Sequence, residues 1–214
     1  MKEKIAKSLK WFLFSFIWLG IILFVVDLVT KNIIVANKEV ILANDGIVLI
    51  PGFLRINYII NNKLVMGLSF GNDNVNRILF IVFASLITGA LIFVTVKKWD
   101  KLNKFYKACI MMIISGALGN LVDRIFYSPA FLGTTYNGVV DWIDFYGVWK
   151  FNFNIADSAV VVAAFMLIIY MIVNEIVDYV KTSKENPKEE KDNEKVLSKT
   201  EQEKNKYLED KKDE

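Results

Sequence analysis

The chain contains four long apolar stretches separated by polar segments, a pattern that predicts four membrane-spanning helices. The stretches cover residues 11–29, 78–96, 105–126 and 158–177. Each is close to the roughly 20 residues that a helix needs to cross a bilayer core of about 30 Å. The second stretch contains no charged residue, and the third has Lys107 near its start and is otherwise uncharged until Asp123 and Arg124. We therefore predict a membrane all-α bundle of four transmembrane helices.

Basic residues flank alternate ends of these stretches, and their distribution predicts the orientation of the helices. Four lysines lie within residues 1–10, and four more lie within residues 97–104. The segment 127–157 contains one basic residue, Lys150. Because cytoplasmic flanks are enriched in Lys and Arg, we expect both termini in the cytoplasm and the loops after the first and third helices outside. The first stretch is longer than the apolar core of a cleaved signal peptide, so we expect it to be retained.

The segment between the first two helices is predicted to form a small extracytoplasmic β-sheet. Asn44-Asp45-Gly46 is a turn signal between two runs that are rich in Ile, Val and Leu. Residues 53–59 read as a further strand. We therefore expect strands on both sides of the turn, in a sheet that lies on the membrane surface.

The composition excludes several catalytic mechanisms and sets the last part of the chain apart. With no histidine and a single cysteine, Cys109, the chain cannot form a Ser-His or Cys-His catalytic pair, a His-ligated zinc site or an intramolecular disulfide. Acid–base chemistry is left to Asp, Glu, Lys, Tyr or Cys. Residues 181–214 are mostly charged or amide residues of mixed sign, which predicts a disordered cytoplasmic tail after a membrane domain over residues 1–180.

Charged residues at the ends of the apolar stretches are the candidates for a functional site, because ionisable groups at membrane depth are costly. Asp27 ends the first stretch and Lys31 follows one turn later, a spacing that suits either a helix-end ion pair or a functional role. In the third stretch, Gly116, Asn120 and Asp123 share one helical face. Small and polar residues on one face indicate packing inside a bundle rather than contact with lipid.

Two further aspartates extend this set and indicate a specific chemistry. Asp141 lies in an apolar segment, and Asp157 opens the fourth stretch, where a helix N-cap is the structural alternative. A cap explains one aspartate and leaves Asp123 and Asp141 unexplained. Two carboxylates that approach within a few ångströms share one proton, because both cannot ionise. Such a pair can hydrolyse a peptide by activating water and polarising the carbonyl group.

Four blocks of the sequence resemble, in order, the motifs of the lipoprotein signal peptidase (signal peptidase II) family. The blocks at residues 27–31, 116–124, 139–145 and 153–158 resemble the motifs Asp-Gln-x-Thr-Lys, Gly-Ala-x-Gly-Asn-Leu-x-Asp-Arg, Val-Val-Asp-Phe and Phe-Asn-x-Ala-Asp-Ser. The resemblance covers about residues 10–178, and the last three blocks together are specific. The sequence departs from the family at Leu28, where Gln is usual, and at Ser115, where a further Gly precedes the second block. It also has additional residues after Asn62 and a longer segment 126–138.

The resemblance implies that Asp141 and Asp157 are the catalytic pair. It carries over as supporting or substrate-binding positions Asn61, Asn120, Asp123, Arg124, Asn154, Asp27 and Lys31. It further implies an aspartyl endopeptidase of the bacterial cytoplasmic membrane that removes signal peptides from diacylglyceryl-modified prolipoproteins, cutting on the N-terminal side of the lipidated cysteine. We expect the enzyme to act as a monomer among membrane lipids, with no metal, other cofactor or nucleic-acid partner.

The residues by themselves leave two other interpretations open. A small polytopic ion-binding or transport protein could use the same carboxylates, because oxygen-rich sites suit Ca²⁺ or Mg²⁺. A membrane scaffold without catalytic activity could use its acidic groups and charged tail to recruit partners.

Overall fold

The structure is a computed structural model that describes residues 12–13, 15–62, 73–135 and 137–185. Its long helices are α1 (Ile17–Ala36), α3 (Asp73–Lys98), α4 (Lys104–Phe126) and α6 (Ile155–Glu185). All four are long and apolar enough to cross a membrane, which confirms the predicted spans. Shorter elements connect them: helix α2 (Lys38–Ala43), helix α5 (Pro129–Leu132) and a 3₁₀ turn (Trp99–Lys101).

The first helix extends well beyond the end of the first apolar stretch at residue 29. Because α1 continues to Ala36, Asp27 and Lys31 lie inside the helix, and both side chains are fully buried. The structure therefore shows the Asp27–Lys31 ion pair that one of the two interpretations expected, but places it inside the helix rather than at its end. The charged side chains near the end of the apolar stretch do not end the helix, because Asp27 and Lys31 are buried and pair with each other. The predicted start at residue 11 and the lysines before it lie outside the described residues.

A four-stranded antiparallel sheet completes the fold and confirms the predicted small sheet. Its strands are β1 (Ile47–Ile50), β2 (Leu54–Asn61), β3 (Val139–Asp144) and β4 (Asn152–Phe153), and they lie side by side in that order. Strands β2 and β3 come from distant parts of the chain and pair directly, with Ile59 opposite Asp141. The pairing therefore brings the loop after α1 next to the segment between α4 and α6.

The prediction of a strand before Asn44 is wrong, because Lys38–Ala43 forms the short helix α2. The helix buries Ile41 in the protein core and leaves Val40 and Leu42 exposed. A short apolar run does not by itself distinguish a strand from a helix. The contacts that the segment makes with the rest of the protein determine which of the two it forms. The strands β1 and β2 instead meet at a turn that contains Gly52, whose φ of 72° lies in the left-handed region that favours glycine.

Alternation along β3 places its side chains on two different faces of the sheet. Val140 points into a core that it shares with Ile34 of α1, Tyr58 of β2 and Leu132 of α5. The Tyr58 hydroxyl donates to the Leu132 carbonyl oxygen over 2.6 Å, so this core also satisfies its buried polar groups. Asp141 lies on the opposite face, towards the helices.

Two glycines in α4 allow close approach of the neighbouring helices. A Cβ atom at Gly119 would lie 2.5 Å from Asp27 Oδ2, and one at Gly116 would lie 2.6 Å from Val160 Cγ2. Glycine is therefore required for α4 to approach both α1 and the first turns of α6. Helix α6 continues past Lys181 to Glu185, and the rest of the predicted tail lies outside the described residues.

Candidate active site

Asp141 is held in the middle of β3 by two amide side chains, one on each carboxylate oxygen. Asn154 Nδ2 donates to Oδ1 over 2.8 Å, and Asn61 Nδ2 donates to Oδ2 over 3.1 Å. Asn61 is the last residue of β2, and Asn154 directly precedes α6. The carboxyl group is almost completely buried, with 3% of the residue exposed. The sheet and the start of α6 therefore fix this carboxyl group in one orientation.

Asp157 lies in the first turn of α6, and Asn154 connects it to Asp141. Asn154 Oδ1 accepts from the Asp157 backbone N–H over 2.8 Å, which caps the helix, while Asn154 Nδ2 contacts Asp141. The alternative interpretation of Asp157 as the helix cap is therefore wrong. The Asp157 side chain instead accepts at Oδ1 from Asn120 Nδ2 over 2.7 Å. A continuous chain of hydrogen bonds runs from Asp141 through Asn154 and Asn120 to Asp157.

Lys31 provides the positive charge at the centre of the site. Its ammonium group lies 2.7 Å from Asp27 Oδ2, 3.0 Å from Asp123 Oδ2 and 3.0 Å from Asn120 Oδ1. The side chain is fully buried, and three acceptors match the three donors of an ammonium group. Buried charges need this kind of pairing, because an unpaired charge at this depth is costly. Lys31 thus links α1 to α4.

The two carboxylates beside Lys31 also hold the backbone around the site. Asp123 Oδ2 accepts from the Val140 backbone N–H over 3.1 Å, one residue before Asp141. Asp27 Oδ1 accepts from the Ala156 backbone N–H over 2.8 Å, one residue before Asp157. Each of the two candidate catalytic aspartates therefore follows a backbone group that is anchored by a buried carboxylate.

Lys31 also determines which way the amide of Asn120 faces. An ammonium group only donates hydrogen bonds, so the group that meets it must be the amide oxygen of Asn120. That oxygen also accepts from Asn154 Nδ2 over 3.1 Å. The NH₂ group of Asn120 must then face Asp157, which it contacts. The hydrogen bond from Lys31 therefore fixes which end of the Asn120 amide faces Asp157.

The electrostatics of the site favour a proton on Asp141. Burial is the main cause that raises the pKa of Asp141 to about 7, and the nearby charge of Asp157 raises it further. The hydrogen bonds from Asn61 and Asn154 and the charge of Lys31 act in the opposite direction. Two carboxyl groups that influence each other in this way titrate as a pair. A pKa of about 7 places the loss of the Asp141 proton close to neutral pH.

Arg124 and Asp144 occupy positions that the sequence did not reveal. The guanidinium group of Arg124 is 7% exposed and lies over the ring of Phe80, with its central carbon 3.5 Å from the ring centroid. Asp144, to which the sequence assigned no role, accepts from Arg55 Nε over 2.6 Å in a cross-strand ion pair between β2 and β3. Arg124 is thus packed between helices, and Asp144 stabilises the sheet that carries Asp141.

One residue near the site escaped the sequence reasoning altogether. Arg77, in the first turns of α3, donates from Nε to the Arg124 carbonyl oxygen over 2.7 Å and from Nη2 to the Ile125 carbonyl oxygen over 2.9 Å. It lies next to the predicted start of the second span, and its position as an ionisable group at a membrane boundary was the available signal. In the parts of the chain that the structure describes, no group of three or more Asp, Glu, His or Cys side chains is placed to hold a metal ion.

Comparison with known proteins places this arrangement in a family. The family model for signal peptidase (SPase) II matches residues 19–173 of the chain, a range that contains every site residue described above. Two solved structures, described as bacterial membrane enzymes determined by the in meso method at 2.3 Å and 1.9 Å resolution, superpose with TM-scores of 0.56 and 0.53. Both are 27% identical to the chain, cover 74% and 73% of it, and are themselves covered to 88% and 94%.

Curated relatives give the same result. A lipoprotein signal peptidase from Fusobacterium nucleatum is 30% identical over 154 residues, which are 72% of this chain and 84% of the relative. A lipoprotein signal peptidase from Desulfitobacterium hafniense is 32% identical over 160 residues, which are 74% of this chain and 94% of the relative. The family model and these relatives cover most of the chain, and the candidate site lies inside the matched region. The chain belongs to the signal peptidase II family.

Proposed function

We propose that Asp141 and Asp157 are the catalytic pair with which this membrane peptidase removes the signal peptide from diacylglyceryl-modified prolipoproteins. The observation that carries the proposal is the hydrogen-bond chain that joins the two carboxyl groups through Asn154 and Asn120. A structural ion pair would not need two aspartates held in fixed orientations by amide side chains and separated from the buried cation. Membership of the signal peptidase II family supplies the reaction type and the substrate class.

In the proposed mechanism, Asp157 acts as the general base and Asp141 as the general acid. Asp157 lies in the first turn of α6, where the free N–H groups of the helix favour a carboxylate. Burial raises the pKa of Asp141 to about 7, so Asp141 holds the shared proton. As water attacks the peptide carbonyl carbon, its proton moves to Asp157 while the Asp141 proton passes to the carbonyl oxygen.

Collapse of the resulting tetrahedral intermediate returns both protons. Asp157 gives its proton to the leaving amine nitrogen as the C–N bond breaks, and the hydroxyl group returns a proton to Asp141 as the new carboxyl group forms. The pair then has the protonation state in which it began. Neither step requires a covalent intermediate with the enzyme. Asn61, Asn120 and Asn154 contribute by holding the two carboxyl groups in the orientation that these transfers need.

The proposed location of the site is the outer face of the bacterial cytoplasmic membrane, with both termini in the cytoplasm. The lysines within residues 97–104 support this orientation, because cytoplasmic flanks are enriched in Lys and Arg and the turn between α3 and α4 is therefore expected inside. Most of each spanning segment is not buried by protein, which supports contact with membrane lipids. A single chain contributes both aspartates and all their contacts described above, which supports a monomer as the active form.

A cleavage assay with the purified protein tests this function. We expect cleavage of a prolipoprotein whose cysteine carries diacylglycerol, on the N-terminal side of that cysteine, as measured by mass spectrometry of both products. The same precursor without the lipid is the matched control and should remain uncut. Activity should be unchanged by a chelator. Absence of cleavage under these conditions, or cleavage that depends on added Ca²⁺ or Mg²⁺, would contradict the proposal and favour an ion-binding role.

The pH dependence of the reaction should report the proton on Asp141. Since the pKa of this group is raised to about 7, kcat/KM should fall as the pH rises through about 7 and the pair loses its shared proton. The hydrogen bond from Asn61 lowers the pKa of Asp141, so Asn61→Ala should move the alkaline limb to higher pH. An alkaline limb that stays in place in Asn61→Ala, or that moves to lower pH, would argue against Asp141 as the proton donor.

A further inference from the structure

The last turn of α4 ends in carbonyl groups that the helix itself cannot satisfy, and Arg77 satisfies two of them. The carbonyl oxygens of Arg124 and Ile125 accept from Nε and Nη2 of Arg77 over 2.7 Å and 2.9 Å. Such carbonyls are costly at the end of a membrane-spanning helix unless they receive hydrogen bonds. A cation at this position also complements the negative end of the helix dipole.

Contacts run in the opposite direction between the same two helices. Arg124 of α4 places its guanidinium group over Phe80, which lies on α3 one turn after Arg77. Helix α3 therefore holds Arg124 twice, through its backbone carbonyl and through its side chain. This two-way arrangement fixes both the position and the rotation of the last turn of α4.

Asn137 extends the same contacts to the segment that leads into β3. In the amide orientation that satisfies both ends, Asn137 Oδ1 lies 2.6 Å from Arg77 Nη1 and 3.0 Å from Nε, and its NH₂ group donates to the Tyr127 carbonyl oxygen over 3.2 Å. Asn137 comes two residues before β3, the strand that carries Asp141. Arg77 is therefore joined to the chain on both sides of the segment between α4 and β3.

Both ends of that segment control the candidate catalytic pair. At the α4 end, Asp123 directly precedes Arg124, pairs with Lys31 and accepts from the Val140 backbone N–H. At the β3 end, Val140 directly precedes Asp141. A shift of the last turn of α4 would therefore move the backbone anchor of Asp141.

We propose that Arg77 is a positioning residue for the catalytic pair, acting through the last turn of α4 and the start of β3 without contacting the substrate. The inference rests on the proposed function. It requires the planar fork of arginine, which donates to several acceptors at once in fixed directions. A lysine retains the charge but offers a single nitrogen, and a glutamine retains neither the charge nor the fork.

The test measures kcat and KM for cleavage of a diacylglyceryl prolipoprotein by Arg77→Gln, Arg77→Lys and the unaltered protein. A catalytic group misplaced by about 1 Å lowers the rate by on the order of 10²-fold. We expect Arg77→Gln to lower kcat by at least tenfold with little change in KM, and Arg77→Lys to restore part of the loss. Lys38→Gln is the matched control, because it also removes a cation that donates to a backbone carbonyl oxygen, that of Phe131 in α5 over 3.1 Å, and Lys38 makes none of the hydrogen bonds described above for either aspartate. Its kcat should remain unchanged.

Two results would overturn the inference. One is a kcat for Arg77→Gln equal to that of Lys38→Gln. The other is a loss of activity that matches the loss of folded protein, with normal kcat in the folded fraction. If Arg77→Gln does not fold, Asn137→Ala removes one contact of the same cluster and should lower kcat in the same direction. The variant Asp141→Asn separates the two proposals. If Asp141→Asn is active, the catalytic pair is refuted. If Asp141→Asn is inactive and Arg77→Gln is fully active, only the role of Arg77 is refuted.

Discussion

Asp141→Asn and Asp157→Asn should each abolish cleavage of a diacylglyceryl prolipoprotein while leaving the protein folded and inserted in the membrane. General acid–base catalysis contributes about 10²- to 10⁴-fold to a rate, and loss of either carboxyl group removes a proton donor or acceptor from both chemical steps. We therefore expect kcat to fall by at least about 10³-fold in each variant. Product formation by mass spectrometry, normalised to the amount of folded protein, is the appropriate measurement.

The double variant gives a sharper form of the same prediction. Residues that act as one catalytic unit are strongly non-additive, so Asp141→Asn combined with Asp157→Asn should be little worse than either single variant. Asp144→Asn is a matched control, because it changes an aspartate of the same strand that pairs with Arg55 rather than with the site. It should retain most of the kcat. Substantial activity in either single variant of the pair would refute the assignment of the dyad.

The sequence was sufficient to predict the four spans, the small sheet and the family. Long apolar runs predict membrane helices because the bilayer imposes one length and one composition on them. Asp141 stood out as a carboxylate in an apolar segment and Asp157 as one at the start of a span, and the family motifs added Asn154; their catalytic roles stay predictions. Each of these signals can be recognised from residues that are close together in the sequence, without knowledge of the fold.

The geometry between those residues could not be predicted, because it depends on contacts between distant segments. Asp27 and Lys31 were expected at a helix end, yet α1 continues past them and α4 covers them. A buried ion pair and an exposed one have the same spacing in sequence. The approach of Gly119 to Asp27 and the pairing of Lys31 with Asp123 distinguish them, and both are properties of two helices rather than of one.

Arg77 and Lys38–Ala43 illustrate two further limits. Arg77 contacts backbone carbonyl oxygens, and any residue can supply a carbonyl, so no sequence motif marks its partners. The segment Lys38–Ala43 was predicted as a strand from its short apolar run, which cannot distinguish the two structures, but it forms a helix that buries Ile41 in the core. In both cases, neither the periodicity nor the composition of the sequence indicates the interaction that determines the structure.

Lys31→Met should strongly destabilise the protein and remove its activity. The substitution leaves Asp27 and Asp123 buried beside each other without their shared cation, and breaking a buried ion pair in this way costs about 3–5 kcal/mol. It also removes the donor that fixes the amide of Asn120, which orients Asp157. The melting temperature in detergent and the kcat of the remaining folded protein measure the two effects separately.

A charge-balanced variant distinguishes the electrostatic role of Lys31 from its role as a hydrogen-bond donor. The group of Asp27, Asp123 and Lys31 has a formal charge of −1 from two acids and one base, and Lys31→Met with Asp27→Asn leaves one acid and the same charge. We expect this double variant to recover part of the lost stability but little of the kcat, because no cation remains to fix Asn120. Full recovery of kcat would show that Lys31 contributes charge alone. Lys38→Met, which alters an exposed hydrogen bond to Phe131, should change neither quantity, so a comparable loss there would point to a general effect of removing lysines.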